Sequence, residues 1–157
     1  MKKLIICIFC ILLFVSCGEN AINPDIPLAD ISVEVNKVLS NADKLSNVDT
    51  ALLEGIASLN PDIISDYVIM LQTKGTEIDQ YGIFKVDNDK NALELKKSLD
   101  NYIEILNKNQ ADFNYLPTET VKLKNAEAFI AGPYVVYTIM SEDDNTAFNK
   151  IFNDMIR

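Results

Sequence analysis

All three cysteines of this chain, Cys7, Cys10 and Cys17, fall within its first seventeen residues, and it has no histidine and no tryptophan. Whatever folds after Cys17 closes without a disulfide or a His–Cys metal site and stands on apolar burial. The same absence excludes every Ser–His and Cys–His nucleophile scheme. A length of 157 residues is one domain's worth of sequence. Hydrophobic residues make up 48% and charged residues 24%, a globular composition. Lys plus Arg is 14 against 23 Asp plus Glu, a net charge of −9 without a basic patch, so nucleic acid is not an expected partner.

The N-terminus carries the clearest signal. Lys2 and Lys3 precede twelve unbroken apolar residues, Leu4 to Val15, and then the small Ser16. That order describes a secretory signal peptide. As a helix the run spans about 18 Å, short of the roughly 30 Å of a bilayer core. Phe14-Val15-Ser16-Cys17-Gly18 resembles the bacterial lipobox, with Phe14 where Leu is usual. The resemblance implies diacylglycerol on the Cys17 thiol and cleavage between Ser16 and Cys17. A thiolate is a suitable nucleophile for that alkylation. Two acyl chains anchor firmly, because each buried CH₂ contributes ~0.8 kcal/mol and one chain alone is marginal. Cys7-Ile8-Phe9-Cys10 reads as C-x-x-C, but it lies in the apolar run and leaves with the signal.

Cleavage takes Lys2 and Lys3 away, leaving 12 basic against 23 acidic side chains. Anionic headgroups repel such a chain, so lipid and not surface charge must hold it. Arg157 is the sole arginine, while Ile, Asn and Lys are abundant, a bias that points to an AT-rich, low-GC Gram-positive source.

Residues 1–16 are thus read as a lipoprotein signal peptide, 17–27 as a tether and 28–157 as one domain. Between Leu28 and Leu45, apolar Ile31, Val35, Val38, Ala42 and Leu45 recur at helical spacing. Asp49-Thr50 opens a short helix to Ala57, and Asn60-Pro61 a brief turn. Tyr67–Thr73 and Ile78–Val86 form a hairpin around Lys74-Gly75. Asp89–Asn109 is the longest helix, with Ala92, Leu95, Leu99, Tyr102, Ile103 and Leu106 on one face. Thr118–Lys124 is a helical turn or two. Ala126–Ala131 and Tyr134–Met140 are strands joined by Gly132-Pro133, and Asp143–Ile156 is the last helix. The expected fold is α+β: N-terminal helices, then two ββα units, giving a four-stranded, mainly antiparallel sheet with helices on one face.

Tyr115-Leu116-Pro117, Val121 to Ala126, Gly132, Tyr134-Val135-Val136, Ser141 and Phe152 resemble small Gram-positive lipoproteins that carry a domain of unknown function. The resemblance runs from about Ala51 to Ile156. It implies a lipid anchor and an extracytoplasmic place, and no activity. An acidic residue is usual in such proteins where Gln80 stands here, which weakens any idea of a shared acidic site at that position.

Asp87-Asn88-Asp89-Lys90-Asn91 opens like a calcium loop, but Ala92 takes the place of the turn glycine and Ser98 that of the closing glutamate. It and Glu142-Asp143-Asp144-Asn145 are read as helix starts whose acids favour the helix dipole. No Ser or Thr has Lys three places on, and the five glycines stand apart, so neither a local Ser–Lys pair nor a phosphate loop is present. Tyr81, Tyr134 and Tyr137 fall in strands, either half-buried or forming a binding face. No catalytic, metal or cofactor-binding residue is assigned. The expectation is a monomeric, lipid-anchored, non-catalytic module on the outer face of the cell membrane. Through an open sheet face it would bind an envelope protein or other envelope component. The alternative is a small carboxylate-dependent hydrolase or transferase.

Overall fold

The computed structural model describes residues 22–109 and 116–157. Ser16, Cys17 and the rest of the signal and lipobox lie outside the described residues, as does Tyr115. The chain forms α1 (Leu28–Asn36), β1 (Leu45–Asn47), α2 (Ala51–Ala57), β2 (Asp66–Gln72), β3 (Gln80–Lys85), α3 (Asp89–Lys108), α4 (Pro117–Lys124), β4 (Glu127–Ala131), β5 (Tyr134–Ile139) and α5 (Glu142–Ile156). Short 3-10 turns at Ala42–Lys44 and Pro61–Ile63 punctuate it.

Local chemistry accounts for most of these elements. Asn88 caps α3 by accepting the Asn91 amide at 3.0 Å, and the apolar face from Ala92 to Leu106 is buried. Ser141 caps α5 by accepting the Asp144 amide at 3.2 Å, and its hydroxyl donates to the Asp144 carboxylate at 2.8 Å. Both acidic stretches are therefore helix starts. Between β4 and β5, Gly132 has φ +57. With proline's φ fixed negative at the next position, this is the geometry of a type II′ turn.

The sheet has five antiparallel strands in the order β1-β2-β3-β5-β4, one more than expected. The extra strand is β1, whose Leu45 to Asn47 pair with Gln72 to Met70 at one edge. Apolar spacing alone extends the first helix to Leu45, where this strand begins. The helix stops at Asn36 because polar groups there bond elsewhere: Asn36 Oδ1 accepts the Tyr81 hydroxyl, and the Ser40 amide and hydroxyl donate to Asp144.

Helices cover both faces of the sheet, where the sequence led us to expect one. On one face, α2, α3 and α4 bury Leu53, Leu95, Leu99 and Leu123 against Ile69, Phe84, Val135, Tyr137 and Ile139. On the other, α1 and α5 bury Ile31, Val35, Phe148 and Phe152 against Val68, Tyr81, Ile83, Tyr134 and Val136. Strands β3 and β5 lie at the centre, and both their odd and their even residues are buried. A strand apolar on both sides needs a layer on each. The two ββα runs are present in chain order but are not symmetric copies. An axis relating antiparallel β3 to β5 runs normal to the sheet and would leave α3 and α5 on the same face.

The segment 22–27, read from sequence as the end of the tether, lies against this domain. The Asn23 amide donates to Ile156 O at 2.7 Å, and the Tyr134 hydroxyl donates to Asn23 O at 2.9 Å. Ile22 and Ile26 are partly buried against the α1–α5 core.

Candidate functional site

The two ends of the sheet differ. The near end holds the Gly132-Pro133 turn, the last turn of α5, the start of α3 and the docked segment 22–27. The far end is where β2 and β5 finish and β3 and α5 begin. The two acidic turns are thus not brought together: Asp87–Asn91 lies at the near end and Glu142–Asn145 at the far end.

Buried polar residues concentrate at the far end: Asp79, Gln80, Glu119, Thr138 and Asp144 are each under a tenth exposed. Lys122 Nζ lies 2.6 Å from Asp79 Oδ2 and 2.9 Å from Glu119 Oε2. Asp79 also accepts the Asn41 side-chain amide at 3.1 Å, and Glu119 accepts the Ile78 backbone amide at 3.0 Å. The three charges join α4 to Asp79, the residue just before β3. Burial pulls the Lys122 ammonium down, but the two carboxylates outweigh it and hold its pKa above the ordinary lysine value. Removing one member of such a buried set leaves the others uncompensated and costs about 3–5 kcal/mol.

Asp144 makes a second junction. Its Oδ1 accepts the Ser40 amide and hydroxyl, both at 2.9 Å, so the chain after α1 is tied to the first turn of α5. Gln80 makes a third, on the α3 side. Its Oε1 accepts the Tyr102 hydroxyl at 3.0 Å and the Tyr137 hydroxyl at 3.1 Å. An amide oxygen has two lone pairs, enough for both donors.

A cavity of about 10 Å³ lies among these groups, lined by Leu39, Asn41, Leu45, Asp79, Gln80, Met140 and Asp144. That is room for about one water molecule and no substrate. Two wider depressions are open to solvent. One of about 490 Å³ is lined by Asn47, Val48, Asp49, Asp66 and Tyr67, and one of about 320 Å³ lies between α2 and α3. Asp49 is held below the usual carboxylate range by the Ala51 amide and, less strongly, by the Tyr67 hydroxyl. Among the described residues, no three His, Cys, Asp or Glu side chains are grouped to hold a metal ion.

The strand tyrosines form no binding face. Tyr81, Tyr134 and Tyr137 are wholly buried, more deeply than either sequence reading allows. Each hydroxyl has a partner: Ser32 and Asn36 for Tyr81, Asn23 O for Tyr134 and Gln80 for Tyr137. Of the five buried polar residues at the far end, only Gln80 and Asp144 are singled out from the sequence. The Ser141-x-x-Asp144 capping box and the Glu119–Lys122 spacing are available as signals. Nothing local pairs Asp79 with Lys122, 43 residues away.

Residues 37–140 match a domain of unknown function, DUF4358. The chain belongs to this family. The match takes in the whole sheet and α2, α3 and α4, while α1 and all of α5 fall outside it. It starts and ends earlier than the resemblance from Ala51 to Ile156. The DUF4358 portion holds Asn41, Asp79, Gln80, Glu119 and Lys122, whereas Asp144 comes from the flanking α5. No curated protein matches the chain. No solved structure matches it either. Among the described residues, no helix is long and apolar enough to cross a membrane.

Proposed function

We propose that this chain is a bacterial lipoprotein, held by acyl chains on Cys17 at the outer face of the cell membrane, whose DUF4358 domain is a non-catalytic interaction module. The observation that carries the reading is Val15-Ser16-Cys17-Gly18 at the end of the apolar run from Leu4. A Gram-positive source is the finer part of the proposal and rests on the Arg-poor, Ile-, Asn- and Lys-rich composition. The non-catalytic part is supported by the far end, where the buried polar groups bond to one another around a cavity of about 10 Å³.

Helices lie on both faces of the sheet, so neither face is open to a partner. Contact with an envelope partner then falls to the outer helix surfaces and the sheet edges. Exposed Val33, Leu52, Leu93, Val121 and Ile130 sit on five different elements there. The carboxylate-enzyme reading keeps one observation in its favour, that Asp79 and Asp144 line the same cavity.

The test of the anchor is Cys17→Ala in a producing bacterium fed labelled palmitate. The wild-type chain should take up label and sediment with membranes, and the variant should do neither. A variant that is still labelled and cleaved would exclude the assignment. Crosslinking in intact cells then reads the partner. Recovery of one defined envelope component supports the module, and hydrolysis of an envelope substrate that is lost in Asp79→Asn would favour the enzyme.

A further inference from the structure

The docking of segment 22–27 constrains how the domain sits on a membrane. If the chain were free from Cys17 to Leu28, its eleven residue steps would reach about 40 Å when extended. Helix α5 has 15 residues and joins the two ends of the domain over about 22 Å. Such a tether would let the domain turn over and present either end to the bilayer.

The observed arrangement shortens it. Asn23 is held through both its backbone groups, its amide donating to Ile156 O and its carbonyl accepting the Tyr134 hydroxyl. The Ile22 side chain lies over Gly132, so closely that a Cβ added to this glycine would meet Ile22 Cδ1 at 3.0 Å. The free reach from Cys17 to Ile22 is then five steps, at most about 18 Å. That is less than the length of α5. With the near end tied this short, the domain cannot turn over to rest on its far end.

We infer that this protein presents one fixed end to its membrane. The Gly132-Pro133 turn, the end of α5 and the start of α3 at Asp87 face the lipid headgroups. The polar far end, with Asp79, Asp144 and the connection from Thr73 to Asp79, faces away from the bilayer. The partner surface is a phospholipid headgroup layer, met by proximity and not by charge attraction. This inference rests on the lipid anchor at Cys17. It adds that an envelope partner meets the far end or the flanks of the domain and never the near end.

The mature chain has no cysteine besides Cys17, whose thiol the lipid caps, so a single added cysteine reports one place. The full chain carrying Asp87→Cys or Thr76→Cys, both exposed positions, is purified in its lipid-modified form and labelled with a fluorophore. It is reconstituted into phosphatidylglycerol–phosphatidylethanolamine vesicles that contain a headgroup quencher. The label at 87 should lose most of its emission and the label at 76 little. Inserting a flexible Gly/Ser stretch of about twelve residues after Asn20 restores the longer reach, and the difference between labels should then largely vanish. Equal or reversed quenching in the unextended protein, with both proteins floating with the vesicles, would overturn the orientation and leave the anchor standing. A difference that survives the insertion would overturn the tether as its cause. Failure of either protein to float with the vesicles would overturn the anchor and the orientation together.

Discussion

Gln80 shows how much of this fold turns on single polar atoms. Its side-chain oxygen is the shared acceptor of two hydroxyls that belong to different layers, Tyr102 of α3 and Tyr137 of β5. Gln80→Leu should therefore cost about 2–4 kcal/mol, because it removes this acceptor from both hydroxyls inside the core. Tyr137→Phe should cost only about 1 kcal/mol, since the oxygen keeps Tyr102. Urea denaturation of both variants checks the ordering, and a Gln80→Leu protein as stable as Tyr137→Phe would contradict it. Titration at the same scale gives a pH dependence. Burial pushes Tyr81 up to about 12, raises Tyr137 well above its ordinary value and raises Tyr134. The native state thus keeps protons that the unfolded chain releases near pH 10. Stability is fully present below that and falls as pH climbs from 10 towards 12, with Tyr81 alone worth on the order of 3 kcal/mol. Lys122, also raised, adds to the same limb. On the acid side, the hydrogen bond from Lys44 holds Glu77 at about 2, so its contribution is present above 4.5 and fades as pH falls towards 2. Urea midpoints measured across pH should show both limbs.

Among the elements, β3 is the one with least room. Gly82 sits at its middle opposite Tyr137, whose ring occupies the space a side chain would need. A Cβ at this position would also meet Phe84 Cε2 at 2.8 Å. Both obstructing rings are fixed in the α3-side core, so they cannot yield cheaply. Gly82→Ala should destabilise by about 1–3 kcal/mol, the usual result of overpacking, despite alanine's smaller entropy cost in a strand. Gly55, on α2, has nothing within 4 Å of the place a methyl group would take, so Gly55→Ala should stabilise by up to about 1 kcal/mol. Opposite signs for the two variants in thermal melts are the expected result. Helix starts were more legible than helix ends, since the C-terminal end of α1 at Asn36 was missed. The Asn88 cap and the Ser141-x-x-Asp144 box follow from residue type and spacing, because capping bonds close within three residues.

For the molecule as a whole, the domain reaches further towards the N-terminus than helix periodicity suggests. A version beginning at Leu28 loses the Ile22 and Ile26 contacts and leaves the buried Tyr134 hydroxyl without Asn23 O. It should fold but be less stable than a version beginning at Ile22 by about 2–4 kcal/mol. Calorimetry of the two compares them directly, and equal stability would mean that segment 22–27 is not held in solution. Both versions should fold without metal or reductant, since the two cores are built from apolar side chains on either side of the sheet.

The helix faces, their caps, both hairpins and the II′ turn at Gly132 were legible in the order of residues, because each is settled by neighbours a few places apart. The proposed leader ending at Cys17 is likewise read from order and length alone and lies outside the described residues. The number of layers was settled by tertiary packing. The apolar run from Tyr134 to Met140 was a signal for a strand buried on both sides, since no strict alternation interrupts it. A run of that kind does not say which helices supply the second layer. Long-range contact also fixes where α1 ends, because Ser40 is claimed by Asp144 from 104 residues away. It joins Asp79 to Lys122 and sets Asn23 beneath Tyr134. Charged and polar side chains carry no periodic signal of their partners. Their pairing is fixed only when the apolar faces have already brought the elements together.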